Sequence, residues 1–210
     1  MNIKNIPNQI IKQSLQPLNL SKVDAIALHH MDSNADVKGI EQIHINKGWR
    51  AIGYNFWVAF DGTVYRGRGF NLGAGVDEQN GHIISIGFQG DYHTAPRAMP
   101  DAQFNAGIDI INYVKVNVPS IKKVAGHKDF MATACPGKYF PLAEMQSGVK
   151  RGGNTMAKIT VIGTGKNVKI TADGKDIDSS GMIEKNGTTA CMNVAQVLRE
   201  LGHEVEWKAE

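Results

Sequence analysis

The sequence predicts an α/β domain, a mixed sheet flanked by helices, followed by a second, small α+β domain. Three observations lead there. Up to about residue 145, apolar runs of strand length alternate with segments whose apolar residues recur at helical spacing. The stretch SGVKRGGNTM (147–156) is then polar and glycine-rich, has no periodicity, and reads as a linker. Beyond it a fresh strand–helix–strand pattern begins. The expected division is 1–148, a linker over 149–155, and 156–210. A chain of 210 residues has room for one ordinary domain plus a small one.

Each element has its own signal. DAIALHH is an apolar run of strand length that ends on His29. In ADVKGIEQIHINKG, Val37, Ile40 and Ile43 take a helical step and Gly48 ends it. YNFWVAF and TVYRG flank Asp61-Gly62, the strongest local hairpin signal in the chain. HIISIGFQ reads as another strand. DAQFNAGIDIINYVKVNV sets Phe104, Ile108, Ile111 and Val114 on one helix face, with Asp101 placed to cap the start. KKVAGH is a short strand ending on His127. In the second domain AKITVIG and NVKITADGKDID read as strands, with ADGKD as a turn. TTACMNVAQVLRELG is an amphipathic helix with Val194, Val197, Leu198 and Leu201 inward and Gly202 past its end, and HEVEW closes the pattern as a strand.

Composition excludes several classes. A formal charge of +3 makes no case for nucleic acid. By position, residues 156–210 hold seven Lys/Arg against eight Asp/Glu, so the positive balance belongs to the first domain. No stretch of about 18 apolar residues is present, which argues against membrane insertion. The first twenty residues lack the apolar core of a secretory signal. The two cysteines, Cys135 and Cys191, make no disulfide scaffold, although a bridge between them stays open as an alternative.

The candidate chemistry lies in AIALHH (25–30) and VAGHKDFMATACPG (124–137). His29, His127 and Cys135 make a three-ligand set for zinc. Three protein ligands leave a fourth tetrahedral position for water, the arrangement of a catalytic rather than a structural site. Ligated water becomes acidic enough to supply hydroxide near neutral pH. The chain therefore reads first as a zinc hydrolase. A His and a Cys eight apart would not by themselves specify a metal; the flanking sequence does.

GHKDFMATACPG resembles the Gly-His-(Lys/Arg)-Asp…Thr-x-Cys-Pro-Gly signature of peptidoglycan-recognition proteins and the related type 2 N-acetylmuramoyl-L-alanine amidases of phages and bacteria. IALHHMDS, the segment 40–69 with Gly-Trp, Gly-Tyr-x-Phe and an Asp-Gly-Thr hairpin, and GDYH (90–93) resemble further steps of that family in the same order. The resemblance runs from about residue 20 to about residue 145. It implies a type 2 amidase fold, Zn2+ as cofactor, peptidoglycan as partner, and hydrolysis of the amide joining the lactyl group of N-acetylmuramic acid to L-alanine. It implies Tyr54, in GYNF, as an oxyanion donor or water-orienting group, and Thr133 as a hydroxyl able to hold the carbonyl oxygen. His30 is expected to point away from the metal. His44 is expected to hold its helix to Trp49, Trp49 to sit in the core, and Asn80 and His82 to line the groove. The alternatives are a non-catalytic peptidoglycan-binding protein and a zinc peptidase cutting within the stem peptide. By the same analogy, a wall-cutting enzyme without a signal suits a phage endolysin held in the host cytoplasm before lysis and acting on the wall after release.

The chain departs from the family in three places, one of them a shortened step in which SIG (85–87) is followed by only Phe88 and Gln89 where many members have four residues before Gly-Asp/Asn. It reads Gly73-Ala74-Gly75 where many members have Gly-Ala-His, and it offers Gln89 or Gly87 where some amidases carry a Glu base. The base is then expected to be the ligated hydroxide, helped by Tyr54. MIEKNGTTACMNVAQVLRELGHEVEW resembles the small repeat domain found at the N-terminus of some copper amine oxidases, with Thr188 where Arg is common; no copper set accompanies it. Wall attachment or oligomerisation is expected of this segment. Met156, directly after Arg-Gly-Gly-Asn-Thr, is a candidate internal start, whose product (156–210) could associate with the full-length chain.

Overall fold

In a computed structural model of the protein the chain divides into two units, Met1–Arg151 and Gly152–Glu210. The structure describes residues 2–94 and 96–152 in full, and beyond them the backbone of four strands. Those strands, β7 (Ile159–Ile162), β8 (Lys169–Ala172), β9 (Lys175–Ile177) and β10 (Val205–Lys208), form one sheet in the order β10-β7-β8-β9. β8 and β9 are antiparallel, and β10 runs parallel to β7. The helix expected over 188–201, Cys191 and Met156 lie outside the described residues.

The first unit is built on a mixed six-stranded sheet in the order β1-β4-β3-β5-β2-β6. Its strands are β1 (Ile3–Asn5), β2 (Ala25–His30), β3 (Phe56–Val58), β4 (Val64–Arg66), β5 (Ile83–Phe88) and β6 (Lys123–Gly126). Only the β3–β4 hairpin is antiparallel, closing on Asp61-Gly62. β2 and β5 are adjacent interior strands and every residue of both is buried, which is why AIALHH and IISIGF read as continuous rather than alternating apolar runs.

The two faces are covered by different helices. α2 (Asp101–Asn117) and α3 (Leu142–Ser147) pack Phe104, Ile108, Ile111, Val114 and Met145 against Ile26, Leu28, Ile84 and Ile86. Burying each such side chain is worth about 1.5–3 kcal/mol. α1 (Val37–Asn46) lays Val37 and Ile40 with Ile52 and Trp57 in a second cluster. Asp36 caps α1 by accepting from the Gly39 amide at 2.8 Å. Asp101 does not cap α2: Pro100 holds that position, and Asp101 is the first helical residue, where its charge favours the positive end of the helix dipole. Lys150 pairs with Asp109 at 2.7 Å and Arg151 with Glu144 at 2.7 Å, so the first unit extends into the span expected as linker. β1, a short polar edge strand parallel to β4, has no counterpart in the sequence expectations. Among the described residues no helix is long and apolar enough to cross a membrane.

Candidate metal centre

Alternation along β2 decides where each histidine goes. Ile26 and Leu28 face α2, so Ala27 and His29 face the opposite side, beside Tyr54. His29 is the penultimate residue of β2. His127 follows the end of β6 directly and opens a 3-10 turn (His127–Asp129) instead of ending the strand. The Asp129 carboxylate accepts from the Gly126 amide at 2.8 Å and closes that turn. Cys135 is brought back to it by a backbone bond from Lys128 N–H to the Cys135 carbonyl, 2.8 Å. The glycines of the motif are steric necessities. A Cβ on Gly137, whose φ is +97°, would stand 2.3 Å from the Tyr92 carbonyl oxygen, and one on Gly126 would stand 2.7 Å from Pro136 Cδ. β2 and β6 are parallel neighbours, so the site forms beyond strand carboxyl ends, where ligands gather in sheets of this kind.

One ligand atom from each of His29, His127 and Cys135 lies within 4.8 Å of the other two. His29 Nδ1 is 3.8 Å from Cys135 Sγ, and the His29 and His127 rings are 4.4 Å apart. Zn–N and Zn–S bonds of about 2.0–2.3 Å at tetrahedral angles call for ligand atoms separated by about 3.5 Å, so the set fits zinc after a small contraction. His127 Nε2 is buried and without a hydrogen-bond partner. Burial, then the charges of His127 and His30, holds the His29 imidazole well below its ordinary pKa; burial likewise lowers His127. Both rings are thus neutral and carry free lone pairs. Burial pushes the Cys135 thiol up to about 12, against a partly offsetting bond to the His30 backbone, and the nearby Asp32 charge raises it further. Cys135 is a free cysteine.

Tyr54 stands in the loop before β3, with its ring 5.2 Å from that of His29. Burial and the nearby Cys135 raise its hydroxyl pKa far above the ordinary value, so it remains a protonated donor. Gly87, the register partner of His29, leaves the space the phenol fills: a Cβ there would lie 3.0 Å from the Tyr54 ring. Asn55 fixes the same loop. Its amide donates to the Gly69 and Asn71 carbonyls at 2.7 and 2.8 Å, and its oxygen accepts from Ser85 N–H at 2.9 Å. The sequence singled out Tyr54 but missed Asn55, whose signal is one amide inside the apolar run YNFWVAF.

His29, Tyr54, His127 and Cys135 line a cavity of about 380 Å³. Thr133 is on its rim, exposed, with its hydroxyl accepting from Cys135 N–H at 3.3 Å. Lys47 and Asp32 line it too and had no distinguishing sequence signal. Trp49 is corrected: it is half-buried in the cavity wall and stacks on His44 at 4.5 Å, while the core tryptophan is Trp57. Asn80 and His82 are also corrected. Asn80 accepts from Val76 N–H, His82 meets Asp24 at 2.9 Å, and neither lines the cavity. Gln89 is no base, because its amide is engaged with Phe60 N–H and the Asn34 carbonyl. His30 uses Nδ1 to accept from Tyr92 N–H at 3.0 Å. Although His30, Asp32 and Asp91 also converge, Asp91 is occupied by the Thr94 hydroxyl and the His93 and Thr94 amides.

His44 accepts from Gly53 N–H at 3.1 Å and ties α1 to the Tyr54 loop. Burial, with help from the Lys47 and Arg68 charges, lowers its pKa from 6.5 to about 4. The unfolded chain therefore takes up that proton first. The stability due to neutral His44 is complete above 6.5 and is lost as pH falls toward about 4. A His44→Gln variant should show a shallower fall of Tm with decreasing pH across that window. Parallel slopes for parent and variant would mean that His44 does not contribute.

The comparisons with known proteins agree with this geometry. The family model described as N-acetylmuramoyl-L-alanine amidase (Amidase_2) matches residues 19–138. Peptidoglycan-recognition protein SC1a of Drosophila melanogaster is 36% identical over 110 residues, which cover 50% of this chain and 58% of that protein. The chain thus spans little more than half the length of that curated relative. The solved endolysin N-acetylmuramoyl-L-alanine amidase LysCS from Clostridium intestinale is similar with a TM-score of 0.63 and 27% identity, over 70% of this chain and 93% of that one. The Drosophila recognition protein LB, solved as a mutant in complex with tracheal cytotoxin, is similar with a TM-score of 0.56 and 25% identity, over 66% of this chain and 88% of that one. With β2, β6 and both candidate-ligand motifs inside the matched span, the chain belongs to the N-acetylmuramoyl-L-alanine amidase (Amidase_2) family.

Proposed function

We propose that this protein is a zinc-dependent N-acetylmuramoyl-L-alanine amidase that cleaves the lactyl–L-alanine amide of peptidoglycan. The observation that carries the reading is the convergence of two neutral imidazoles and a thiol within 4.8 Å, beside a protonated tyrosine, in one open cavity. Zinc held by His29, His127 and Cys135 would polarise the scissile carbonyl and acidify a water. The remaining steps fall to the chain. The Tyr54 hydroxyl, kept protonated by burial, donates to the carbonyl oxygen as negative charge develops there. The Thr133 hydroxyl spends one lone pair on Cys135 N–H and keeps its proton free for the same oxygen. Gly87 and Asn55 hold Tyr54 in place. Peptidoglycan as substrate is supported by the recognition-protein relatives and the tracheal cytotoxin complex, and an endolysin role is supported by the likeness to LysCS.

A fragment of residues 1–151 contains every residue of this site. It is expected to fold alone, bind one zinc, and hydrolyse a soluble muropeptide. Activity should vanish with a chelator and return with added zinc. A folded fragment that binds muropeptide but never cleaves it would replace the enzyme with a recognition module. The 156–210 segment is proposed to attach the enzyme to the wall. Its failure to sediment with any susceptible wall would favour oligomerisation instead.

A further inference from the structure

Two buried polar atoms left without a role meet at one point. His29 turns Nδ1 toward the Cys135 sulfur, which leaves Nε2 buried and without a hydrogen-bond partner. Ser85 is 1% exposed, and its hydroxyl oxygen is likewise unpartnered. Both atoms border Gly75. A Cβ on that glycine would stand 2.4 Å from Ser85 Oγ and 3.3 Å from His29 Nε2. The sheet register explains the meeting: across β2 and β5, Ala27 pairs with Ser85 and His29 with Gly87. His29 and Ser85 are therefore diagonal neighbours on one sheet face, within reach of a long side chain. Gly75, with no side chain, leaves the space between them open.

We propose that Ser85 is the positioning residue for His29. Its hydroxyl oxygen takes up the Nε2 N–H through one water in the gap at Gly75, and so fixes the tautomer whose Nδ1 lone pair faces Cys135. The inference rests on the zinc reading above and extends it. A neutral imidazole has one N–H and one lone pair, so the partner of one nitrogen decides which nitrogen is left for a metal. An imidazole that can rotate or exchange tautomers holds a metal less tightly, and loss of such a supporting partner typically costs about 10–100-fold in metal affinity. A merely space-filling Ser85 behaves differently: removing a buried hydroxyl that bonds nothing is neutral or stabilising and leaves the His29 tautomer alone.

The test compares the parent protein with Ser85→Ala and Ser85→Thr. Zinc affinity is measured by competition with a chromophoric chelator. The His29 tautomer in the metal-free protein is read from imidazole nitrogen shifts in the NMR spectrum. Ser85→Ala should bind zinc about 10–100-fold more weakly and shift His29 away from the Nε2–H form. Ser85→Thr, which retains the hydroxyl, should restore both. Ser85→Cys, close to Ser in shape but a weak acceptor, should shift the tautomer in the same way; it serves if Ser85→Ala folds poorly. Parent-like zinc affinity together with an unchanged tautomer in Ser85→Ala would overturn the proposal. A parent protein that takes up no zinc would contradict the metal reading instead, and the metal-free tautomer then decides the Ser85 contact by itself.

Discussion

Replacing Cys135 by Ser is expected to abolish zinc binding and amidase activity together. Of the three converging donors only Cys135 can contribute a negative charge, since His29 and His127 are held neutral by burial. A serine hydroxyl offers a far poorer ligand, and two neutral imidazoles are left to hold the ion. The loss of affinity should exceed the roughly 10–100-fold that removal of a mere supporting partner costs. The same chemistry sets a pH dependence. Without metal the buried thiol is protonated, its pKa pushed up to about 12. Zinc must displace that proton, so uptake should release it and affinity should weaken as pH falls. Calorimetry in buffers of different ionisation enthalpy reads the released proton directly. Full zinc occupancy in Cys135→Ser would remove Cys135 from the ligand set.

Tyr54→Phe is expected to keep the fold and the zinc but lose about 10²–10³ in turnover, the usual effect of deleting one oxyanion donor. The ring packs against Gly87 and beside His29, and Phe preserves both contacts. Only the hydroxyl disappears. Because the interaction strengthens as charge develops on the oxygen, kcat should fall with little change in KM. Parent-like turnover in this variant would reduce Tyr54 to a packing residue and shift the oxyanion role toward Thr133.

How much of this was legible in the sequence depended on where the signal was local. The buried strands AIALHH and IISIGF, the Asp-Gly hairpin and the long helix at Asp101–Asn117 each carry their own apolar pattern. The strand at Ile3–Asn5 does not; it exists because β4 offers it an edge. The candidate ligand set was readable because His127 and Cys135 share one short motif and His29 ends an apolar run. The groove was not. Asn80 and His82 were placed on it by sequence position alone, yet one holds its own loop and the other meets Asp24. Trp49 reads as core from composition, but stacking on His44 holds it in the cavity wall. Ser85 and Gly75 acquire meaning only from the register between β2 and β5 and the loop that crosses it.

The most direct test of the central claim is mass analysis of purified peptidoglycan digested by the zinc-loaded protein, with a chelated sample alongside. The account predicts stem peptides with free N-terminal L-alanine, glycan strands left intact, and no release in the chelated sample. Cleavage within the stem peptide, or equal release with zinc removed, would contradict it.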